Sequence, residues 1–117
     1  MDVEVKFDKK GLDELAKALD SDKLHKQAER IIAYHTADLH TRSQRKVPVR
    51  TGHLKRSGIA KTDLERLEGR VKYSADYAGY VEKGTRYMDA QPYLEPALNE
   101  VKPALVADMK KLNELGG

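Results

Sequence analysis

The sequence contains no cysteine and no tryptophan, and only one phenylalanine among its 117 residues. Without cysteine there is no disulfide framework, no thiolate metal site and no thiol nucleophile. The six tyrosines make up nearly all of the aromatic content. Some of them must therefore serve in the hydrophobic core, and the chain is either cytosolic or indifferent to cysteine chemistry.

Long apolar runs are also lacking. No stretch approaches the ~20 apolar residues of a membrane-spanning helix, and the N-terminus MDVEVKFDKK is charged where a signal peptide is apolar. We therefore expect a soluble chain with no membrane partner and no export by that route. The length predicts a single domain, residues 1–117, that folds without covalent staples.

Acidic residues are absent from Leu39 to Thr62, a stretch with seven Lys or Arg, whereas Met1 to Asp22 has seven acids and four lysines. Because the net charge is only +3, this uneven distribution indicates a charged surface patch that contacts a partner. The run ends at Lys61, and its candidates to face DNA are Arg42, Arg45, Lys46, Arg50, Lys55 and Arg56. The alternative is a solvated face paired with the acidic N-terminal third or with a neighbouring subunit. We favour it because no aromatic residue is interleaved to stack on bases.

The hydrophobic periods of the first half predict one strand and two helices. Val3, Val5 and Phe7 alternate with polar residues as in a half-buried strand, and Asp8 can cap a short helix whose apolar stripe ends at Leu19. A longer helix from Asp22 to Lys46 would measure roughly 36 Å, so it must span the body or project from it. Its apolar stripe comprises Leu24, Ala28, Ile31, Ile32, His35 and Leu39.

After a loop at Thr51-Gly52, the second half predicts a hairpin and a last helix. Ser57 to Leu64 and Gly69 to Ala75 are the strands, joined by a loop from Glu65 to Gly69. The apolar period runs through Pro103, so we expect one kinked helix whose last residues, Leu115 to Gly117, fray. Its stripe comprises Leu94, Leu98, Val101, Leu105, Met109 and Leu112. The fold class is α+β, with a small antiparallel sheet of about three strands packed against the long central helix and the kinked C-terminal helix.

The stretch from Tyr77 to Leu98 contains more position-specific residues outside a simple periodic pattern than any other segment. It predicts a short helix to Lys83 that ends at Gly84, an irregular arm from Thr85 to Gln91, and a helix that begins at Pro92. Five of the six tyrosines lie in or beside it. We expect Tyr73 and Tyr77 inside and Tyr87 and Tyr93 towards a partner, and leave Tyr80 open.

Catalytic and metal-binding patterns are not evident. His35 and His40 are five residues apart and lack the HExxH arrangement, so we interpret them as a half-buried and a solvated histidine. Glu82 has no nucleophile nearby and is expected to be an ordinary helix-surface carboxylate, and Ser57 a turn residue. No GxGxxG or P-loop occurs. We expect no enzyme activity, no metal and no cofactor.

Three ordered elements carry a resemblance to a known family. They are PVRTGHL at 48–54, YAGYVEKGT at 77–85 and QPYLEPA at 91–97. In this order they resemble the phage neck and tail-completion family, the tail component of lambda-like and HK-type siphophages. Tyr93, where phenylalanine is common, and the additional Pro103 are small departures.

The resemblance implies a non-enzymatic virion structural protein at the head–tail junction, assembled in the host cytoplasm. It implies a ring, a hexamer by analogy with lambda-like tails, with head-connector and tail-tube or tail-terminator proteins as partners and nonspecific DNA contact in the lumen. We expect the arm to order on assembly. The alternative function is a small basic nucleic-acid-binding protein. The expected interface residues are Arg50, Thr51, Gly52, His53, Leu54, Lys55, Arg56, Tyr80, Glu82, Gly84, Thr85, Arg86, Tyr87, Met88, Gln91, Pro92 and Tyr93.

Overall fold

The computed structural model of the protein describes residues 3–7, 22–48 and 52–116, with side chains at 25–48 and 52–112. It confirms the α+β class, with an antiparallel sheet and long helices. The helix expected after Asp8 lies outside the described residues. The elements are β1 (Val3–Phe7), α1 (Asp22–Lys46), α2 (Gly52–Arg56), β2 (Gly58–Asp63), β3 (Glu68–Tyr73), α3 (Ala78–Lys83) and α4 (Leu94–Gly116).

The sheet has β3 at its centre, with β1 and β2 antiparallel on either side. Val71 and Tyr73 of β3 are buried while Arg70 and Lys72 are partly exposed, as expected when successive side chains point to opposite faces. Register places Val71 opposite both Val5 and Ala60. The inner face of the sheet therefore joins the core, and the outer face carries charge.

The two long helices are antiparallel to each other. Lys46 at the end of α1 lies 2.9 Å from Glu100 near the start of α4, and His35 lies 2.7 Å from Asp108 further along. With 25 residues, α1 is about 37 Å long in a molecule of 52 × 20 × 19 Å. It therefore runs through most of the long dimension.

Two hydrophobic clusters share these helices. The larger one lies between the sheet, α3, the C-terminal half of α1 and the N-terminal half of α4. It includes Leu39, Tyr73 and Tyr93. The second lies between the N-terminal half of α1 and the C-terminal half of α4. Leu67, at φ 54° in the β2–β3 turn, inserts into this second cluster, so the hairpin turn is tied to the helix pair.

Helix α4 is continuous through Pro103 and extends to Gly116, which confirms the continuous helix and moves its end beyond the expected fraying point. Proline removes the hydrogen bond to the carbonyl four residues earlier. Pro103 and Asn99 are both exposed, so water can reach the carbonyl of Asn99. The proline is tolerated because it lies on the solvent face.

Candidate docking cleft

The three sequence elements meet at one cleft of about 340 Å³. Pro48 comes from the first element, α3 and the start of the arm from the second, and Gln91 from the third. The lining is Pro48, Tyr77, Tyr80, Val81, Thr85, Met88 and Gln91. Residues that are distant in sequence thus form a single, mainly apolar surface feature.

The first element is held to the body by hydrogen bonds around α2, a short helix where the sequence predicted a loop. The Ser57 hydroxyl donates to the carbonyl of Leu54 at 2.7 Å and accepts from the Ala75 N–H at 3.2 Å. The Gln44 amide donates to the carbonyl of Lys55 at 2.9 Å. Ser57 therefore links the end of α2 to Ala75, which follows β3. Arg50 and Thr51 lie outside the described residues.

Gly84 turns the chain back after α3. It has φ 79° and ψ 174°, a conformation that favours glycine. A Cβ there would lie 2.7 Å from the backbone nitrogen of Ala90 and 3.0 Å from the carbonyl oxygen of Met88. The Gln91 N–H donates to the carbonyl of Val81 at 2.8 Å, so the far end of the arm returns to α3.

The arm from Thr85 to Gln91 begins with a closed turn. The N–H of Thr85 donates to the Met88 carbonyl at 2.8 Å, and the N–H of Met88 donates to the Thr85 carbonyl at 3.3 Å. The Tyr87 N–H also donates to the Thr85 hydroxyl at 3.1 Å. Tyr87 is 84% exposed at the tip, with the Arg86 guanidinium 4.9 Å from the centre of its ring. The arm is thus built to present one aromatic side chain.

Glu82 caps α4, and the expectation of a helix-surface carboxylate is wrong. The side chain is buried, and one oxygen accepts from the N–H groups of Tyr93 at 3.1 Å and Leu94 at 2.9 Å. The other accepts from the Glu95 N–H at 3.2 Å, and Pro96 has no N–H to satisfy. All the unpaired donors of the first turn of α4 are accounted for. The missing Ser, Thr, Asp or Asn before Leu94 was the sequence signal for a cap from elsewhere.

The prediction for Tyr93 is also wrong, because this residue lies in the core and does not face a partner. It is fully buried, its hydroxyl donates to the Ala78 carbonyl at 3.0 Å, and its ring meets Tyr73 edge-on at 4.8 Å. Tyr73, buried as expected, pairs its hydroxyl with the Ser43 hydroxyl at 2.7 Å. With no tryptophan available, these two rings supply the bulk that the core needs. Leu54, expected at the interface, is likewise fully buried in the core.

Burial raises the pKa of both tyrosines. For Tyr93 the negative charges of Glu82 and of an ionised Tyr73 add to the effect of burial. For Tyr73, hydrogen bonds from Ser43 and Gln44 lower the pKa, but burial outweighs them. Both phenols are therefore neutral at physiological pH and act as hydrogen-bonded core residues.

The remaining expected interface residues divide by exposure. Tyr80, 48% exposed on α3, and Tyr87 offer aromatic surface, and Tyr77 is half-buried against the core. The exposed residues are His53, Lys55, Arg56, Thr85, Arg86 and Pro92, and the partly buried ones are Gly52, Gly84, Met88 and Gln91. The ring of His53 lies 6.1 Å from that of Tyr77, which places α2 beside the cleft.

The basic run does not form one uninterrupted cationic strip. Arg42 pairs with Asp38 at 3.0 Å and with Glu100 at 3.5 Å, and Lys46 pairs with Glu100 at 2.9 Å. The hydrogen bond from Lys46, and secondarily that from Arg42, lowers the pKa of Glu100. These partners lie on α1 and α4. Arg45, like Lys55 and Arg56, is exposed.

The two helix histidines are structural. His35 is buried, its Nε2 lies 2.7 Å from Asp108, and its Nδ1 has no hydrogen-bond partner among the described residues. His40 is half-buried, with Nε2 3.4 Å from the Gln44 amide nitrogen. Within the described part of the chain, no cluster of three or more His, Asp or Glu is placed to hold a metal. Nor does any helix there have the length and apolar character of a membrane span.

The comparisons with known proteins gave one finding. Over residues 8–84 the chain matches the HK97-gp10-like family model, which is described as "Bacteriophage HK97-gp10, putative tail-component". The match covers more than half of the chain and ends at Gly84, so the arm and the Gln91–Pro96 segment lie beyond it. Neither the curated proteins nor the solved structures contain a match.

Proposed function

Because the chain belongs to the HK97-gp10-like family of bacteriophage tail components, we propose that this virion protein acts in head–tail joining or tail completion. In this proposal it is non-enzymatic and assembles in the host cytoplasm as, or onto, a ring at the head–tail junction. The ring is a hexamer whose lumen passes DNA. Its partners are copies of itself and the adjacent head-connector and tail-tube or tail-terminator proteins.

The observation that carries the proposal is the cleft, lined by the half-exposed Tyr80, together with the exposed Tyr87 on the adjoining arm. Tyrosine is enriched at protein interfaces because it combines a large apolar body with a polar end. Tyr80 lines the cleft beside the apolar side chains of Pro48, Val81 and Met88, and Tyr87 is exposed on the arm next to Met88. A neighbouring virion protein would bury these rings on docking.

The closed turn of the arm supports docking without a large ordering cost. Its mutual backbone hydrogen bonds between Thr85 and Met88 already define the position of Tyr87. A preorganised contact loses less conformational entropy on binding than a disordered one does. We therefore replace the expectation of an arm that orders on assembly with an arm formed in advance.

The charges around the cleft favour an acidic partner segment. The exposed cations on the segments that border the cleft are Lys55 and Arg56 of α2, Lys83 of α3 and Arg86 of the arm, and the exposed acids between Ala75 and Gln91 are Asp76 and Asp89. Complementary charge steers association and suppresses wrong partners. The proposed occupant of the cleft is thus an apolar segment with acidic residues from the neighbouring subunit or virion protein.

Removing the ring of Tyr87 should block particle completion without unfolding the protein. In a phage whose own copy of the gene is deleted, complementation with Tyr87→Ala should yield unjoined heads and tails in electron micrographs. Hot-spot aromatics typically contribute more than 2 kcal/mol to an interface, so we expect at least a tenfold loss of infectious particles.

Tyr34→Ala is the matched control, because Tyr34 is 67% exposed on α1 and belongs neither to the cleft lining nor to the arm. This variant should support normal titres. Normal titres with Tyr87→Ala, or an equal loss with Tyr34→Ala, would contradict the proposed role of the arm.

A further inference from the structure

Strand β2 forms one edge of the sheet, because the described structure pairs it with a strand on one side only, β3. An edge strand presents unpaired N–H and C=O groups, since alternate residues turn these groups away from the neighbouring strand. Lys61, Thr62 and Asp63 are all exposed, so the second half of β2 is accessible on both faces. This edge is therefore open to a further strand.

Apolar side chains are also exposed along this edge. Ile59 is 50% exposed, and Leu64, the first residue after β2, is 39% exposed. Natural sheets commonly place charged side chains on open edges to prevent pairing with another chain. The order of the charges on β2 therefore decides whether a second strand can bind there.

That order makes β2 complementary to itself. When two antiparallel copies of the strand pair about Thr62, Lys61 of each copy lies directly opposite Asp63 of the second copy, and two-fold symmetry produces this pair twice. Thr62 then lies opposite Thr62 of the second copy, and Leu64 lies opposite Ala60. Opposite charges and threonine pairs at directly opposed positions both stabilise an antiparallel sheet.

The neighbouring registers of such a pair are unfavourable. A change of one position in the register would place opposed side chains on different faces. The next two registers are centred on Lys61 and on Asp63, and each places that residue directly opposite itself. Like charges at directly opposed positions are destabilising, so the charges favour the register centred on Thr62.

The Asp63 carboxylate remains accessible to a lysine of a second copy. It accepts from the N–H of Arg66 at 3.2 Å, and the Arg66 guanidinium lies 3.8 Å from it. The Asp63 side chain is nevertheless 51% exposed, and a carboxylate can accept several hydrogen bonds at once. The contact with Arg66 and a contact with a second copy are therefore compatible.

We propose that β2 pairs with β2 of a second copy of this chain, which joins two three-stranded sheets into one sheet. A surface that binds its own copy closes as a two-fold dimer, whereas each contact within a ring generated by a single rotation joins two unlike surfaces. The β2 contact therefore links copies outside such a ring. The inference does not depend on the docking role of the cleft, whose lining contains no residue of β2.

Sedimentation velocity of the purified chain at a series of concentrations tests this proposal, and we expect a monomer–dimer equilibrium. Lys61→Asp and Asp63→Lys each place like charges opposite one another twice. Each single variant should therefore raise the dimer dissociation constant about tenfold. The double variant Lys61→Asp/Asp63→Lys restores opposite charges in the register centred on Thr62 and should recover the equilibrium of the unchanged chain. An equimolar mixture of the two single variants should dimerise for the same reason.

Two variants serve as controls. Lys110→Asp reverses an exposed lysine on α4, and Tyr87→Ala removes the exposed ring of the arm. Neither should change the equilibrium, and circular dichroism would establish that all variants remain folded.

A monomer at every concentration, single variants without effect, or a double variant that does not recover dimerisation would each overturn the proposal. A loss with Lys110→Asp or Tyr87→Ala as large as that with Lys61→Asp would also overturn it, because the copies would then associate through another surface.

Discussion

Glu82→Ala should lower the free energy of unfolding by about 3 kcal/mol or more, because it leaves three N–H groups at the start of α4 without their acceptor. The carboxylate is buried and accepts from Tyr93, Leu94 and Glu95. It also places negative charge at the positive end of the helix dipole. No other side chain of the described structure is bonded to these donors. Urea unfolding followed by circular dichroism measures the loss.

Two further variants separate the hydrogen bonds from the charge. Glu82→Gln keeps one acceptor oxygen but turns an NH₂ towards the helix, so we expect an intermediate loss of about 1–2 kcal/mol. Glu95→Ala removes an exposed acid from the first turn of α4. It should lower the free energy of unfolding by at most about 1 kcal/mol. Equal losses for Glu82→Ala and Glu95→Ala would show that the carboxylate does not act as a buried cap.

Tyr93→Ala should destabilise the fold by about 3–5 kcal/mol, the range for removing a large buried aromatic residue. The ring is fully buried against Tyr73, and its hydroxyl is bonded to the Ala78 carbonyl. Tyr93→Phe keeps the ring and should cost about 1 kcal/mol. Unfolding in urea monitored by tyrosine fluorescence and circular dichroism provides the comparison.

Tyr87→Ala is the counterpart to Tyr93→Ala. Because Tyr87 is exposed at the tip of the arm, its removal should change stability by no more than about 0.5 kcal/mol. The two variants thus distinguish the core from the docking surface within the stretch from Tyr77 to Leu98. A stability loss at Tyr87 as large as that at Tyr93 would place the arm in the fold instead of on its surface.

Much of the fold follows from hydrophobic period and punctuation. The stripe from Leu24 to Leu39 predicts α1, and the helix cannot continue past Pro48. The period through Pro103 predicts α4 in spite of the proline, because the proline lies on the exposed face. Such local patterns are visible in sequence because each element buries one face.

Glu82 and Tyr93 could not be assigned in this way, because their partners are distant in sequence. The helix that Glu82 caps begins twelve residues after it in the chain, and no hydrophobic period connects the two. The aromatic composition requires tyrosines in the core, but it does not say which ones. The arm returns to α3 through the Gln91 to Val81 hydrogen bond, and the following Tyr93 is bonded to Ala78 and Glu82.

The backbone conformation of the arm could likewise not be predicted from the sequence. Thr85 to Gln91 has no hydrophobic period, and its turn is closed by main-chain hydrogen bonds that composition does not reveal. The sequence identifies Gly84 correctly as the end of a helix. Its positive φ and its closeness to Ala90, which direct the arm back over the cleft, require the structure.

The central claim is that the cleft and its arm are covered by a neighbour in the virion, and cysteine accessibility tests it most directly. The chain has no cysteine, so Asp89→Cys, an exposed arm position, introduces a single reactive thiol. Ala104→Cys, exposed on α4, is the control. We predict that both free proteins react rapidly with a maleimide, whereas in assembled particles the thiol at 89 is protected at least tenfold and that at 104 is not. Equal reactivity of the thiol at 89 in free protein and in particles would contradict the account.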